Sequence, residues 1–391
     1  MVTALDLGNI LDFEPVNKPI TTLYLSIDAE GKKNKQHKIL FKDILKYKSQ
    51  KTYFKNLTQE ESQSVQNDFK KIEDYINMEF GMNGDASRSV AIFSCSEADL
   101  WESIKFSVPM DTSMVVNRHP YLRPLVEAAS RHRNYALILV DRAKARIVEM
   151  RMGKAVEHFH VHEEDMPDQV KKGGFGGTTE RRVERHINDH VRWHLKRVAE
   201  EAKKLQEKHD YKWVYIGGRP EIINEFEKVL HSYVKERVVG HLELEPGAPL
   251  KEVLEKVGAA EQDALVRYEK QFMRRLNNGI GQSRMGIGGI LGVLHAQQHS
   301  QIDTLLIQQD FSRKGMYCPR CNYLTIHQEE TCPLDGEDLR RTPDIVDNLI
   351  YNVLKQGASV EMISREMEDY GDIGAILRYP IAEQVTEDSA A

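Results

Sequence analysis

Strand-like and helix-like segments alternate through the middle of the chain, and this order permits few folds. NYALILVDRAKARIVEMRMG (134–153) has two apolar, β-branched runs around a polar turn, which predicts a buried strand, a turn and a second strand. AVEHFHVHEE (155–164) extends this hairpin, and KWVYIGGRP (212–220) predicts a further strand. Amphipathic periodicity predicts helices over 179–208 and 221–238. The alternation predicts a compact α/β domain.

The rest of the chain adds further units, because 391 residues exceed what one hydrophobic core usually serves. Strand-like runs at 21–29, 87–95 and 103–109 surround a helical segment at 59–80, and 117–129 reads as a connector. A long helix over 250–276 leads into the last part of the chain. We predict an α/β (α+β) multidomain fold with three domains. They are a divergent N-terminal α/β domain (1–125), a middle domain with a glycine-rich loop (126–256) and a C-terminal domain (257–391) with a cysteine insertion (316–340).

Composition excludes several classes of protein. No apolar run approaches the roughly 20 residues of a membrane-spanning helix. The first residues lack the layout of a secretory signal. Three of the four cysteines lie close together, which predicts a metal site in a reducing compartment rather than a disulfide framework. The net charge of −6 argues against a protein that coats nucleic acid by bulk electrostatics. We expect a cytoplasmic protein that binds neither membrane nor DNA.

A glycine-rich stretch, GGFGGTTERRVERH (173–186), precedes the first long helix of the middle domain. Glycine is costly to order, so this stretch is either a flexible linker or a tip that approaches a large anion. Positive charge is concentrated around it: Lys171, Lys172, Arg181, Arg182, Arg185, Arg192, Lys196 and Arg197 stand against Glu180, Glu184 and Asp189. This balance favours a tip that binds RNA locally.

Each residue type in the stretch suits contact with an RNA backbone. Glycines without Cβ let the main chain enter a narrow cavity, and the arginine fork matches phosphate. Thr178 or Thr179 would cap the following helix. The predicted RNA-binding residues are Gly173, Gly174, Gly176, Gly177, Thr178, Thr179, Arg181, Arg182 and Arg185.

The cysteine insertion, CPRCNYLTIHQEETCPLD (318–335), has the spacing of two zinc knuckles. Cys318, Cys321 and Cys332 supply thiolates, and Asp335 stands where a fourth cysteine would be expected. Asp335 or His327 would complete a tetrahedral, structural zinc site; the alternative is a knuckle that folds without metal.

Elsewhere, His158, His160 and His162 alternate along one strand and are predicted to be surface residues. The common nucleotide-hydrolase, metalloprotease and serine-hydrolase motifs are missing from the sequence.

The glycine stretch resembles a known loop. GGTTERRVER (176–185) is similar to the GGQ loop of archaeal and eukaryotic class I peptide release factors, with Gly176 and Gly177 as the paired glycines and Arg182 and Arg185 at the arginine positions. NRHPYLRPL, the hairpin at 134–150, MGIGGILGVL, LKQGASVEMIS and GDIGAILRY extend the resemblance over most of 115–381. The chain is therefore identified as a bacterial member of the release factor/Pelota superfamily, a group that includes a ribosome-hibernation factor. The resemblance implies an L7Ae-like third domain.

The chain departs from this family at the residues that read the stop codon and at the residue that takes part in hydrolysis of the peptidyl-tRNA ester. Thr178 occupies the place of the glutamine that positions the attacking water, and the N-terminal domain has neither the NIKS nor the YxCxxxF stretch that reads stop codons. Hydrolysis is therefore expected to be weakened, and stop-codon reading is not expected.

Three functions follow from the resemblance and its gaps. The leading one is a factor that occupies the ribosomal A site with its glycine loop toward the peptidyl transferase centre, in hibernation or rescue. Its implied partners are ribosomal RNA, tRNA and a translational GTPase such as elongation factor Tu. The second is a peptidyl-tRNA hydrolase that uses Thr178 or a neighbouring residue. The third is an RNA-binding protein without a ribosomal role.

Overall fold

The computed structural model describes residues 9–13, 18–27, 39, 41–44, 57–79, 87–151, 154–162 and 177–380. The chain divides into two compact units. One comprises residues 1–131 together with 269–391, and the other comprises residues 132–268. Both units combine helices with sheets, so the predicted α/β multidomain architecture is confirmed. The boundaries of the three predicted domains stay a prediction.

The N-terminal part of the first unit contains an antiparallel sheet with strand order β3-β2-β1-β4. Its elements are α1 (Asn9–Asp12), β1 (Ile20–Ser26), α2 (Gln59–Glu79), β2 (Ser89–Cys95), β3 (Leu100–Phe106), β4 (Ser113–Asn117) and α3 (Arg123–Arg131). Helix α2 begins with a reciprocal capping box, in which Thr58 and Glu61 each accept a hydrogen bond from the other's backbone N–H. Its buried Asp68 accepts hydrogen bonds from Thr21 and Ser94, which fastens the helix to the sheet.

The second unit is built on a five-stranded sheet with strand order β7-β6-β5-β8-β9. Its elements are β5 (Tyr135–Val140), β6 (Lys144–Arg151), β7 (Lys154–His162), α4 (Gly177–His209), β8 (Trp213–Gly217), α5 (Pro220–Val229), α6 (Ser232–Lys235), β9 (Val238–Leu242) and the start of α7 (Leu250–Asn278). Strands β5, β6 and β7 form an antiparallel meander, and β8 is parallel to β5. The parallel pair needs a crossover, and α4 lies within that connection.

Strand β5 is buried on both faces, which explains its uninterrupted apolar sequence. Ile138 packs in a core with Val191 and Leu195 of α4. Leu137, on the opposite face, packs in a second core with Val253 of α7. The sheet therefore has helices on both sides, and α4 is held to it along an apolar stripe.

The C-terminal part of the first unit contains a mixed sheet with strand order β10-β16-β11-β15. Its elements are β10 (Gly286–Gly288), α8 (Ile290–Gln298), β11 (Ile302–Gln308), α9 (Ile345–Lys355), β15 (Ser359–Ile363) and β16 (Ile373–Leu377). Between β11 and α9, the cysteine insertion forms a small sheet of β12 (Gly315–Tyr317), β13 (Leu324–Thr325) and β14 (Arg340–Thr342). Helix α9 begins after Asp344, whose carboxylate accepts a hydrogen bond from the Val346 N–H.

The long helices are confirmed with small shifts at their ends, and two local predictions are wrong. The helix predicted over 221–238 is broken, because Leu230 has an extended backbone and the side chain of His231 caps the short α6. The predicted connector contains helix α3, whose Pro124 lies in the first turn, where its missing N–H has no helical partner. Among the described residues, no helix is both long and apolar enough to cross a membrane.

Candidate functional site

The predicted RNA-binding tip lies at the start of α4, and the structure covers only part of it. Gly173, Gly174 and Gly176 lie outside the described residues. The other predicted residues lie on the first turns of α4, where the backbone is described and the side chains are not: Gly177, Thr178, Thr179, Arg181, Arg182 and Arg185. Their role in RNA binding stays a prediction. Because α4 begins at Gly177, the backbone of both threonines belongs to its first turn.

Further along α4 the side chains are described, and the helix has two distinct faces. Val191, Leu195 and Val198 are buried in the core beneath the helix. Arg192, Trp193, Lys196 and Arg197 are exposed, and we call these four residues the α4 basic face. Periodicity explains the division, since the buried residues recur at helical spacing and leave the others on the solvent side.

Trp193 is the unusual member of the α4 basic face, because 59% of its surface is exposed. The guanidinium of Arg197 lies 5.9 Å from the centre of the Trp193 ring, within the range of a cation–π contact. A ring that stacks on a base, flanked by cations that contact phosphate, is the arrangement found in single-stranded nucleic-acid binding surfaces. The sequence analysis noted the positive charges here and did not single out the tryptophan. Trp193 could have been found because it lies among arginine and lysine residues at helical positions outside the apolar stripe.

The structure brings together the four predicted metal ligands. One ligand atom from each of Cys318, Cys321, Cys332 and Asp335 lies within 4.8 Å of the other three. The Sγ atoms of Cys321 and Cys332 are 3.5 Å apart, and Cys318 Sγ is 3.5 Å from the carboxylate of Asp335. Zinc at about 2.3 Å from each sulfur requires neighbouring sulfurs roughly 3.8 Å apart in a tetrahedron. The donor set and spacing therefore fit a tetrahedral ion.

Two similar turns present these ligands. The N–H of Asn322 donates to the carbonyl of Cys318, and the N–H of Gly336 donates to the carbonyl of Cys332. Asn322 and Gly336 both have positive φ, of 59° and 74°, a conformation that favours glycine and tolerates asparagine. Each turn places a second ligand just before this residue, so Asp335 occupies in the second turn the position that Cys321 occupies in the first.

Protonation differs among the members of this group. Burial raises the pKa of the Cys318 and Cys321 thiols, so a cation that binds here has to displace their protons. A hydrogen bond from the Glu337 N–H lowers the pKa of Asp335 to about 2, which keeps its carboxylate ionised. His327, the alternative fourth ligand, is exposed and does not belong to this group.

His158 and His160 are exposed, as predicted, and the side chain of His162 lies outside the described residues. His158 also has a buried partner: its Nε2 atom lies 2.5 Å from an oxygen of the buried Glu149 on the neighbouring strand. Alternation alone did not predict this contact, because β7 is irregular at this point.

Comparisons with known proteins bear on both units. Residues 120–262 match the model of bacterial archaeo-eukaryotic release factor family 10. Peptide chain release factor subunit 1 of Archaeoglobus fulgidus is 27% identical over 285 residues, which cover 66% of this chain and 69% of that protein. The protein of the same name from Methanocaldococcus jannaschii is 27% identical over 299 residues, covering 67% and 69%.

Solved structures give matches of low overall similarity. Archaeal translation termination factor aRF1 matches at 17% identity with a TM-score of 0.26, covering 97% of this chain and 99% of that one. Dom34 of Saccharomyces cerevisiae matches at 11% identity with a TM-score of 0.41, covering 75% and 81%. The family match contains α4 and the residues before it, and the archaeal relatives align over about two thirds of the chain. In sequence, residues 120–262 thus match a bacterial family of archaeo-eukaryotic release factors, and about two thirds of the chain is similar to archaeal peptide chain release factor subunit 1.

Proposed function

We propose that this protein is a ribosome-binding translation factor that occupies the A site without reading a stop codon. The proposal rests first on the relatives, which are named peptide chain release factors and align over about two thirds of the chain. It rests also on the family match, which contains the glycine-rich stretch and α4. In this proposal the glycine loop points toward the peptidyl transferase centre, and the arginines at its base contact ribosomal RNA.

The observation that carries the proposal is the α4 basic face. Its cations lie on the helix that begins at Gly177, so RNA contact by the loop and contact by the helix would involve one continuous surface. The chain as a whole is acidic, with a net charge of −6, and bulk attraction therefore does not account for RNA binding. Exposed Trp193 adds a stacking surface, which supports RNA as the partner over an acidic protein.

We assign the biological role to ribosome hibernation or rescue rather than to termination. Thr178 stands at the place of the catalytic glutamine, and the stop-codon motifs are missing from the sequence. The proposed partners are the ribosome, tRNA and a translational GTPase such as elongation factor Tu, which the C-terminal, L7Ae-like domain would bind. A cytoplasmic location follows from this role.

We also propose that Cys318, Cys321, Cys332 and Asp335 bind a structural zinc ion. All four coordination positions would be filled by protein, so no position remains for a substrate or an activated water. The ion would hold together the two turns and the three-stranded sheet of the insertion, where Cys318, Cys332 and Leu339 form a small cluster of buried residues.

Ribosome co-sedimentation tests the proposed function. We expect the double variant Arg192→Glu/Lys196→Glu to bind ribosomes more weakly and with a shallower salt dependence, because phosphate contacts release counterions. The matched control is Arg219→Glu/Lys251→Glu, which makes the same charge change at two exposed positions of the same unit. Equal binding by both double variants would count against the α4 basic face, and no co-sedimentation of the wild type would remove the ribosomal function.

A further inference from the structure

Three side chains with metal-ligating atoms converge in the second unit, away from the cysteine group. Glu149 lies on β6, His158 on β7, and His209 is the last residue of α4. One ligand atom from each lies within 4.8 Å of the other two. Glu149 Oε2 is 2.5 Å from His158 Nε2, and Glu149 Oε1 is 3.7 Å from His209 Nδ1. The carboxylate therefore lies between the two imidazoles.

A β-bulge places His158 beside Glu149. Ile147 pairs with Phe159 and Val148 pairs with Glu157, so His158 is the extra residue on β7 and has no partner on β6. A bulge of this kind redirects one side chain and is common next to functional sites.

Several buried polar atoms in and beside this cluster have no hydrogen-bond partner among the described residues. Glu149 is 4% exposed, and its Oε1 atom has no hydrogen-bond partner among the described residues, although Arg151 Nε lies 3.5 Å away. His209 Nε2 and the hydroxyl of buried Tyr211 likewise have none in the described part of the chain. The rings of His209 and Tyr211 are stacked, with centroids 5.5 Å apart. Buried polar atoms without partners are rare in folded proteins and indicate an ion or water that satisfies them.

We infer that Glu149, His158 and His209 bind a divalent transition-metal ion such as zinc. Two imidazoles and one carboxylate are a donor set that holds zinc or a neighbouring first-row ion and leaves a position for water. The ion would take the place of the hydrogen bond between Glu149 and His158, and the metal-bound imidazole would carry its proton on the other ring nitrogen. The carbonyl end of α4, which has a partial negative charge, would favour the cation, whereas Lys208 and Arg151 would oppose it.

The site would connect parts of the chain that the glycine-rich stretch separates. Strand β7 ends at His162 and α4 begins at Gly177, so the hairpin and the helix are joined through this stretch. A metal at His209 would tie the far end of the helix to the hairpin that precedes the stretch. This inference is independent of ribosome binding, because metal binding is measured on the isolated protein.

Metal binding to the full chain tests the inference. Protein stripped with a chelator would be titrated with Co²⁺, which gives thiolate charge-transfer absorption at a cysteine site and none at a site of nitrogen and oxygen ligands. We expect wild type to bind one equivalent with the thiolate signature and one without it. His158→Gln should lose only the second equivalent. The matched control, His160→Gln, changes a neighbouring exposed histidine of the same strand and should keep both.

A second variant keeps the test valid if His158→Gln fails to fold. Glu149→Gln keeps the shape of the side chain and a hydrogen-bonding group beside His158, so it should fold, and it should lose the second equivalent of Co²⁺. Thermal unfolding monitored by circular dichroism would verify the fold of each variant. Wild type without the non-thiolate equivalent would overturn the inference and leave a proton-bridged pair of Glu149 and His158. Equal uptake by wild type and Glu149→Gln would also overturn it.

Discussion

Asn348 donates a hydrogen bond from its side-chain amide to Nε2 of His119, with 2.8 Å between the two nitrogens. The amide of Asn117 lies 3.0 Å from the same nitrogen. Since Nε2 accepts these bonds, the proton of the neutral ring is on Nδ1, which lies 3.2 Å from the carbonyl oxygen of Pro120. Burial lowers the pKa of His119 to about 4, so the ring is neutral at physiological pH. A neutral contact thus joins residues that are far apart in sequence within the first unit.

The neighbouring carboxyl group, Asp347, is protonated in most molecules at neutral pH. Burial, with a smaller effect of Asp344, raises the pKa of Asp347 to about 8. Its carboxylate is 3.8 Å from His119 Nδ1, yet burial suppresses both charges instead of producing an ion pair. Within the first unit, a neutral imidazole therefore faces a carboxyl group whose pKa is raised.

We predict that Asp347→Asn removes a loss of stability that wild type shows as the pH rises toward 8. The unfolded pKa of aspartate is about 3.9 and the folded pKa is about 8, so its protonation stabilises the fold at low pH, and this contribution is lost as pH rises through that window. His119 adds the opposite slope only below about pH 6.5. Between about pH 6.5 and pH 8, wild type should lose up to about 1.4 kcal/mol per pH unit relative to the variant.

Urea unfolding across this pH range measures the difference in the free energy of unfolding. The control is Asp369→Asn, which makes the same change at an exposed position of the same unit. Parallel pH profiles for wild type and Asp347→Asn would contradict the assignment of the raised pKa.

Sequence patterns predicted the elements that depend on local periodicity. Strand β5 and helices α2, α4 and α7 have long, regular apolar patterns, and each is found close to its predicted range. The clustering of Cys318, Cys321, Cys332 and Asp335 was predicted equally well, because the Cys-x-x-Cys and Cys-x-x-Asp spacings describe turns whose geometry is set within five residues. In both cases the information that decides the structure lies close together in the sequence.

Features that depend on tertiary contacts were missed. Strand β4 is short, and it pairs with β1, which is far from it in the sequence. Its local sequence pattern does not distinguish it from a loop. The environment of His158 depends on a bulge in β7 and on Glu149 of another strand. Trp193 was not singled out, because its exposure depends on which face of α4 packs on the core. These omissions have a common cause: neighbours distant in the sequence decide burial.

We predict that Trp193→Ala weakens ribosome binding without unfolding the protein. Loss of one stacked base costs about 1–3 kcal/mol, which corresponds to roughly 5- to 150-fold in affinity. Trp193→Phe keeps an aromatic surface and should retain part of the affinity. Equilibrium binding to purified ribosomes measures the change. Met78→Ala, at another exposed apolar position, is the control, and equal losses for the two alanine variants would argue against stacking by Trp193.

We predict that the protein releases little peptide from ribosomes that carry labelled peptidyl-tRNA. Thr178 lacks the amide that positions water in the family, so hydrolysis should stay near the rate without factor. Gly177→Pro provides the control for any release that is seen. Gly177 is the first residue of α4, where proline is accommodated, so the helix should persist while one backbone N–H is removed. Rapid release by wild type that is lost in this variant would establish the peptidyl-tRNA hydrolase alternative.

We predict that Asp335, and not His327, is the fourth zinc ligand. The carboxylate of Asp335 lies beside the three sulfurs, whereas His327 is exposed outside the group, so Asp335→Ala should weaken zinc binding and His327→Ala should not. The loss should exceed the roughly 10- to 100-fold effect of removing an outer-shell partner, because a direct ligand is removed. Asp335→Cys should restore tight binding, since Asp335 and Cys321 occupy equivalent positions in the two turns. Competition with a chromophoric chelator measures all three affinities, and weaker binding in His327→Ala alone would reverse the assignment.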